Sequence, residues 1–356
     1  MNIKHMIDFN DLSPEQWNEI YTLAKDIVKC PARYSAALRG KVMATLFYEP
    51  STRTQMSFQT AMLRLGGSLI GFSDPKSSSV SKGETLRDTI KIISNYADIA
   101  VIRNPIEGAA YAASLYSRIP VINAGDGGHL HPTQTMTDML TIGREKGRFE
   151  GMSIGLCGDL ANGRTVHSLL KAFSRFKNNT FYLISTQSLR LPDYFKKIIS
   201  ESDNKIIELN SLDECISELD ILYMTRIQRE RFASIEEYEA QSGIFVLTAD
   251  KMSRAKKDLT VMHPLPKVDE IDPEVDDDER CRFFAQAENG LYVRMALILT
   301  LCESNPFKLT AQKYELPKER FCKNPRCISN HERYLPKLTK TTSDGEFCAY
   351  CENLIK

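Results

Sequence analysis

The sequence has no surplus of either charge: lysine plus arginine and aspartate plus glutamate number 46 each, and the formal net charge is zero. A nucleic-acid or anionic-membrane surface calls for a basic excess, so neither partner is expected. There is no apolar run of about 18 residues, the length a helix needs to cross a bilayer. Met1 to Asn10 has no apolar core of the kind a secretion signal carries. Together these absences predict a cytoplasmic protein. Internal repeats are lacking, and the one low-complexity tract is Ser77–Ser79. What remains is an ordinary globular balance of 42% hydrophobic and 26% charged residues. At 356 residues the chain exceeds one core and predicts about two domains plus a remainder.

Short β-branched runs alternate with helical periodicity, which predicts an α/β fold of two similar-sized parallel-sheet domains. Ser13-Pro14 ahead of Trp17, Ile20, Leu23, Ala24 and Ile27 marks a capped amphipathic helix. Strands are expected at Val42–Tyr48, Ser68–Phe72, Ile99–Arg103 and Val121–Ala124, with Ser51 capping a helix that ends near Gly66-Gly67. A second series begins after Gly147: Ser153–Cys157, Phe181–Ile184, Ile206–Leu209, Ile221–Tyr223, Phe245–Leu247 and Thr260–Met262. A helical run, Arg294–Glu303, follows it. These readings divide the chain into residues 1–132, completed by 288–305, then 133–287, then a small tail at 306–356.

The first strand hands over to a helix through Phe47-Tyr48-Glu49-Pro50-Ser51-Thr52-Arg53-Thr54. In open α/β sheets ligands bind beyond the carboxyl ends of strands. A helix N-terminus there offers unpaired N–H groups and a positive dipole end to an anion. Three hydroxyls and a guanidinium lie within four residues of this turn, and an arginine forks to phosphate oxygens as a lysine does not. The plain alternative is an N-cap serine beside a solvated arginine.

This stretch, with Ser57-Phe58 and Leu65-Gly66-Gly67, resembles the carbamoyl-phosphate signature of the aspartate and ornithine carbamoyltransferases. Further motifs follow in order: Lys82-Gly83-Glu84-Thr85, Arg103, His131-Pro132-Thr133-Gln134, Gly163-Arg164-Thr165-Val166-His167-Ser168, Met224-Thr225-Arg226-Ile227-Gln228 and His263-Pro264-Leu265-Pro266. The resemblance spans about residues 5–305. It implies acyl transfer from carbamoyl phosphate to an amino acid with no cofactor in the active site, a reaction served by positioning and charge stabilisation. On that resemblance Ser51, Thr52, Arg53 and Thr54 hold the phosphate, with Arg53 stabilising the leaving group. Arg103 binds phosphate and the carbamoyl oxygen, and His131 donates to that oxygen. Gln134 and the backbone of Pro264–Pro266, including Leu265 and Pro266, hold the carbamoyl amino group. Arg164, with Thr165 beside it, and Arg226, with Gln228, bind the two carboxylates of L-aspartate. Ser79 and Lys82, on a polar loop, reach the active site of a neighbouring chain, so the family's sites are shared within a homotrimer or a larger assembly. Histidine followed by proline at 263–264, where the ornithine enzymes have cysteine, favours the aspartate reaction that commits carbon to pyrimidine biosynthesis. Two departures stand out: Lys267 where the family has arginine, and Ala161 where allosteric relatives have lysine.

Nine cysteines divide unevenly. Five are scattered in apolar stretches, as small buried thiols are. The others form Cys322-x4-Cys327-x20-Cys348-x2-Cys351, two close pairs able to complete a closed tetrahedral S4 site. A tail of about 50 residues is too small for a sufficient core, which gives a structural zinc a physical purpose. Iron is the other ion such sites accept, and disulfides fit a cytoplasmic protein poorly. Tyr314-Glu315-Leu316-Pro317, Cys322 to Asn330 and Cys348 to Glu352 resemble the zinc domain of the separate regulatory chain in allosteric aspartate carbamoyltransferases. That implies a fused assembly module without its nucleotide-binding domain. Two competing readings are a non-catalytic relative, opposed by the retained arginines and His131, and a zinc-knuckle nucleic-acid binder, opposed by the charge balance.

Overall fold

The computed structural model describes residues 3–227, 234–236, 238, 244–305, 308–309, 321–342 and 345–355. It divides into two compact units, residues 1–133 with 291–356, and residues 134–290.

In the first unit, α1 (Pro14–Lys29) starts as the sequence predicts. Ser13 accepts from the Gln16 N–H, Gln16 reaches back, and Pro14 sets the first turn. Trp17, Ile20, Ala24 and Ile27, spaced at three to four residues, are its buried face. Four parallel strands follow: β1 (Val42–Phe47), β2 (Ser68–Phe72), β3 (Ile99–Asn104) and β4 (Val121–Asp126), in the order β2-β1-β3-β4. Their connections contain α2 (Thr52–Arg64), α3 (Leu86–Tyr96) and α4 (Ala109–Tyr116). Ile99 to Ile102 are buried without alternation, as expected of a central parallel strand covered on both faces. The strand order reverses between β1 and β3, so the crevice of this sheet lies beyond Phe47 and Arg103, which are paired in register.

The second unit repeats the plan. Helix α5 (Pro132–Lys146) leads into it. Then come β5 (Ser153–Cys157), α6 (Arg164–Phe173), β6 (Thr180–Ile184), α7 (Asp193–Ser200), β7 (Lys205–Leu209), β8 (Ile221–Met224), α8 (Ala249–Arg254), β9 (Thr260–Met262) and α9 (Phe283–Ser304). Its parallel order is β7-β6-β5-β8-β9, reversing between β5 and β8. The run 245–247 does not form the expected strand. Leu247 makes one isolated bridge to Ile271, its N–H donating to Glu270 O and its carbonyl accepting from Asp272 N–H, and the run carries no further ladder.

The tail belongs to the first unit. It contributes the short helix α10 (Ile328–His331) and an antiparallel hairpin of β10 (Thr339–Thr342) and β11 (Gly345–Cys348). Its four cysteines, Ile328, Leu335 and Tyr350 join one apolar core with Leu86, Ile90, Ala112, Ala113 and Tyr116 of α3 and α4. Rings meet edge-on, Tyr111 with Tyr350 at 5.6 Å and Tyr116 with Tyr334 at 5.5 Å. Polar contacts fix the docking: Asn324 donates to Glu107 at 2.6 Å, Arg326 pairs with it at 3.1 Å, and Tyr334 accepts from the Arg87 N–H. Among the described residues no helix is long and apolar enough to cross a membrane.

Candidate active site and metal centre

At the switch point of the first sheet, the chain leaves β1 and enters α2 at Thr52. Ser51 occupies the N-cap position, but contrary to expectation its hydroxyl makes no capping bond. Its extended φ of −159° with ψ 82° does not aim the side chain at its own helix. Thr52 and Arg53 are exposed and Thr54 is buried. The first-turn N–H groups therefore open beyond the strand, where an anion gains from their dipoles.

Arg103, the penultimate residue of β3, lies beside this turn. It is mostly buried, paired with Glu49 at 2.8 Å and donating to the Ala124 carbonyl at 3.2 Å, while its Nε has no hydrogen-bond partner. Burial lowers its pKa, Glu49 opposes that, and the charge of Arg53 adds to the lowering. Two cations facing one crevice are thus held ready for an anion. Gly125, at φ +121°, is the close approach here. A Cβ on it would lie 3.0 Å from Arg103 Nη1 and 3.5 Å from the ring of His131. Arg103 and the buried His131 accordingly flank one glycine. Asp126 holds the loop between them, accepting from the N–H groups of Gly108 at 2.8 Å and Leu130 at 2.9 Å. Ser79 and Lys82 bound an exposed 3-10 turn, away from any strand.

In the second unit β5 and β8 are locked at their carboxyl ends. A Cβ on Gly158 would meet the Thr225 carbonyl at 2.4 Å, and Thr225 donates to Cys157 O through both N–H and hydroxyl. That closeness sets two half-buried arginines on neighbouring loops: Arg164, opening α6 with Thr165, and Arg226, following β8. Gln228 lies outside the described residues. Gln134, in the first turn of α5, donates its Nε2 to Asp138 at 2.7 Å. The loop after β9 carries the cis peptide Leu265-Pro266, with Leu265 at φ +53°. It is held by His263, whose N–H donates to Gln286 at 2.9 Å and whose Nδ1 accepts from the Leu265 N–H at 2.8 Å. Lys267 pairs with Asp276 at 2.8 Å, so this departure retains an ion-pair partner. Glu49, Asp126, Asp138 and Gln286 were not singled out by the sequence. Each is an acceptor or amide behind a cationic or catalytic-looking residue, and no spacing pattern marks that role.

Two family profiles match the chain: "Aspartate/ornithine carbamoyltransferase, carbamoyl-P binding domain" over residues 4–144, and "Aspartate/ornithine carbamoyltransferase, Asp/Orn binding domain" over residues 150–301. The chain belongs to the aspartate/ornithine carbamoyltransferase family. Within that family it is 58% identical over 299 residues to the aspartate carbamoyltransferase catalytic subunit of Clostridium perfringens, covering 84% of this chain and 97% of that protein. The Clostridium acetobutylicum catalytic subunit is 56% identical over the same shares. Among solved carbamoyltransferases, the catalytic subunit of M. jannaschii aspartate transcarbamoylase superposes with a TM-score of 0.82 at 48% identity, covering 85% of this chain and 99% of that one. The Trypanosoma cruzi enzyme in complex with N-(phosphonacetyl)-L-aspartic acid gives 0.78 at 36% identity, covering 84% and 96%.

The cysteine cluster lies beyond the matched residues. All four Sγ atoms are within 4.8 Å of one another and all four residues are buried. Cys322 and Cys351 are 3.6 Å apart at sulfur, and Cys327 and Cys348 are 3.7 Å apart. Four thiolates at about 2.3 Å from a tetrahedral ion stand about 3.8 Å apart, so this donor set fits a metal ion. The expected Tyr314-Glu315-Leu316-Pro317 segment lies outside the described residues.

Proposed function

We propose that this chain is an aspartate carbamoyltransferase, transferring the carbamoyl group of carbamoyl phosphate to the α-amine of L-aspartate with release of phosphate. The observation that carries the reading is the matched pair of switch points. One presents a helix N-terminus with hydroxyls, Arg53 and Arg103; the other presents two arginines, Arg164 and Arg226, as a dicarboxylate requires. Curated relatives at 54–58% identity carry that activity in their names, and Trypanosoma cruzi structures hold carbamoyl phosphate and aspartate.

In this reading Ser51, Thr52, Arg53 and Thr54 bind the phosphate, and Arg53 neutralises charge as it leaves. Arg103 and His131 polarise the carbamoyl oxygen as the amine attacks, where donors fixed beforehand act on charge that develops in the transition state. Gln134, Leu265 and Pro266 accept from the carbamoyl amino group. Arg164, Thr165, Arg226 and Gln228 hold aspartate. Ser79 and Lys82 serve a neighbouring chain in a homotrimer, which agrees with their exposure on a loop of their own. Three functional parts follow: a carbamoyl-phosphate domain at 1–132 completed by 288–305, an aspartate domain at 133–287, and a zinc module at 306–356 fused from a regulatory-type chain. Zinc suits four thiolates at the observed spacing and would be held by Cys322, Cys327, Cys348 and Cys351 as a structural ion. It takes no part in the transfer.

The test is direct. Purified protein incubated with carbamoyl phosphate and either L-aspartate or L-ornithine should yield carbamoyl-aspartate, identified by mass, and no citrulline. Citrulline as the main product would overturn the reading.

A further inference from the structure

The second unit buries a carboxylate that none of the assigned roles uses. Asp138 is fully buried in α5, one turn after Gln134. An interior carboxylate persists only if its oxygens are satisfied, and three donors converge on this one. Gln134 Nε2 lies 2.7 Å and Gln286 Nε2 2.6 Å from Oδ1, while the Tyr223 hydroxyl donates to Oδ2 at 3.0 Å. The donors come from α5, α9 and β8.

We propose that Asp138 is a positioning residue that fixes the polarity of the carbamoyl-amino subsite, and thereby its choice of a carbamoyl over an acetyl group. The proposal rests on the assignment of Gln134 and the 264–266 carbonyls to the carbamoyl amino group. A carboxamide has two ends of equal shape and opposite polarity. Because a carboxylate only accepts, it claims the NH2 end of Gln134 and leaves Oε1 as the acceptor. The same holds at Gln286: its NH2 end is committed to Asp138, and its Oε1 takes the His263 N–H. His263 in turn accepts from Leu265 N–H and holds the proline loop. One negative charge therefore orients both amides, leaving Gln134 Oε1 as an acceptor and turning Gln286 Oε1 to the His263 N–H that steadies the proline loop. A carbamoyl group brings an NH2 donor to Gln134 Oε1 and the 264–266 carbonyls. An acetyl group brings a methyl of the same size, which leaves them unpaired. A site built to hydrogen-bond rejects the analogue lacking the hydrogen bond far more strongly than a site built on shape.

Asp138→Leu keeps roughly the size and removes both acceptor oxygens, so neither glutamine is held by its NH2 end; Asn would not serve, because its NH2 could donate to the Tyr223 hydroxyl and its oxygen still accept from both amides. The experiment measures KM and kcat for carbamoyl phosphate, and inhibition constants for acetyl phosphate and inorganic phosphate. Wild type, Asp138→Leu and Gln134→Ala are compared. Asp138→Leu should cut kcat/KM for carbamoyl phosphate by roughly 10- to 100-fold, the scale of one or two lost hydrogen bonds. The ratio of the acetyl phosphate inhibition constant to the carbamoyl phosphate KM should fall at least about tenfold, while inorganic phosphate binding stays within about twofold. A parallel loss for all three ligands, with the ratio unchanged, would mean a merely structural role and overturn the proposal. If Gln134→Ala also leaves the ratio unchanged, the subsite assignment itself fails. If Gln134→Ala collapses the ratio and Asp138→Leu does not, only the role of Asp138 fails. Should Asp138→Leu not fold, Gln286→Met, which removes the arm to His263, should lower the ratio by about threefold, and an unchanged ratio in that variant counts against the proposal equally.

Discussion

The two α/β units are pinned alike at one end and built differently at the other. In the first, Asp98 just before β3 accepts the Val42 N–H at 2.9 Å and pairs with Lys41 at 3.1 Å. In the second, Asp220 just before β8 accepts the Ser153 N–H at 3.0 Å and pairs with Lys256 at 2.7 Å. Each aspartate ties the starts of the two central strands together. Beyond the carboxyl ends the resemblance stops. The first unit presents formal charge near solvent, with Arg53 exposed and Arg103 steadied by Glu49. The second presents half-buried arginines, and its interior holds two amides bonded to the buried Asp138. Two units of one plan thus differ in what stands beyond their strands: formal charge in the first, and in the second arginines with a carboxylate–amide network in the interior.

The largest expected effect tests the charged half. Arg53→Ala should lower kcat at least about 100-fold, the scale for losing one donor that acts in the transition state. Arg164→Ala should instead act mainly by raising KM for aspartate. Steady-state kinetics with each substrate varied separates the two. A normal kcat with only a raised KM in Arg53→Ala would reduce that residue to a binding group and erase the contrast.

That contrast also marks where the sequence could be read. The strands were legible because parallel sheets require β-branched runs, and nine of the ten expected runs form strands. The anion turn was legible because its parts are contiguous, from Ser51 to Thr54. The polarity network was not. Tyr223 and Gln286 lie 85 and 148 residues from Asp138, and buried aspartates carry no spacing signature. The cysteine spacing announced a cluster of four thiols fit for a metal ion, but not the surface on which the module rests. Glu107, Arg87 and Tyr116, which receive it, look like ordinary helix and loop residues.

A second prediction breaks the symmetry of the units. Among the described residues, only the first unit shares its core with the cysteine module. Thiolate ligation couples metal binding to folding of the module, so chelation or Cys348→Ser should unfold it and uncover Leu86, Ile90 and Tyr116. Melting assigned to the first unit should fall by about 4 °C or more, a loss of a kcal/mol or two, with the second unit unmoved. Activity per chain at 25 °C should change little, while any assembly that the module supports should become smaller. Metal content, melting, molecular mass and rate before and after removal decide it. Activity lost while both α/β units stay folded would give the metal a part in the chemistry.

The smallest effect tests the shared pin. Burial pushes the Asp220 carboxyl up, but hydrogen bonds from Lys256 and the Ser153 N–H, with the charge of Arg148, outweigh it and hold the group below the usual aspartate range. A depressed folded-state pKa contributes stability that is present above the unfolded value, near pH 4, and lost as pH falls through the folded one. Both cations are partly solvated, so the pair contributes little beyond the backbone hydrogen bond. Asn keeps an oxygen for the Ser153 N–H but loses the charge that strengthens that hydrogen bond and holds Lys256, so Asp220→Asn should cost about 1 kcal/mol at pH 7. Urea unfolding of wild type and variant at pH 7, 5 and 3 should show that gap constant to pH 5 and shrinking by pH 3. Asp98→Asn should produce a comparable loss at pH 7 in the first unit, because it removes the same carboxylate charge from a strand-end N–H and a lysine. A gap for Asp220→Asn that widens on acidification would contradict the sign of the shift. A loss confined to one unit would show that the two pins, alike in geometry, are unlike in energy.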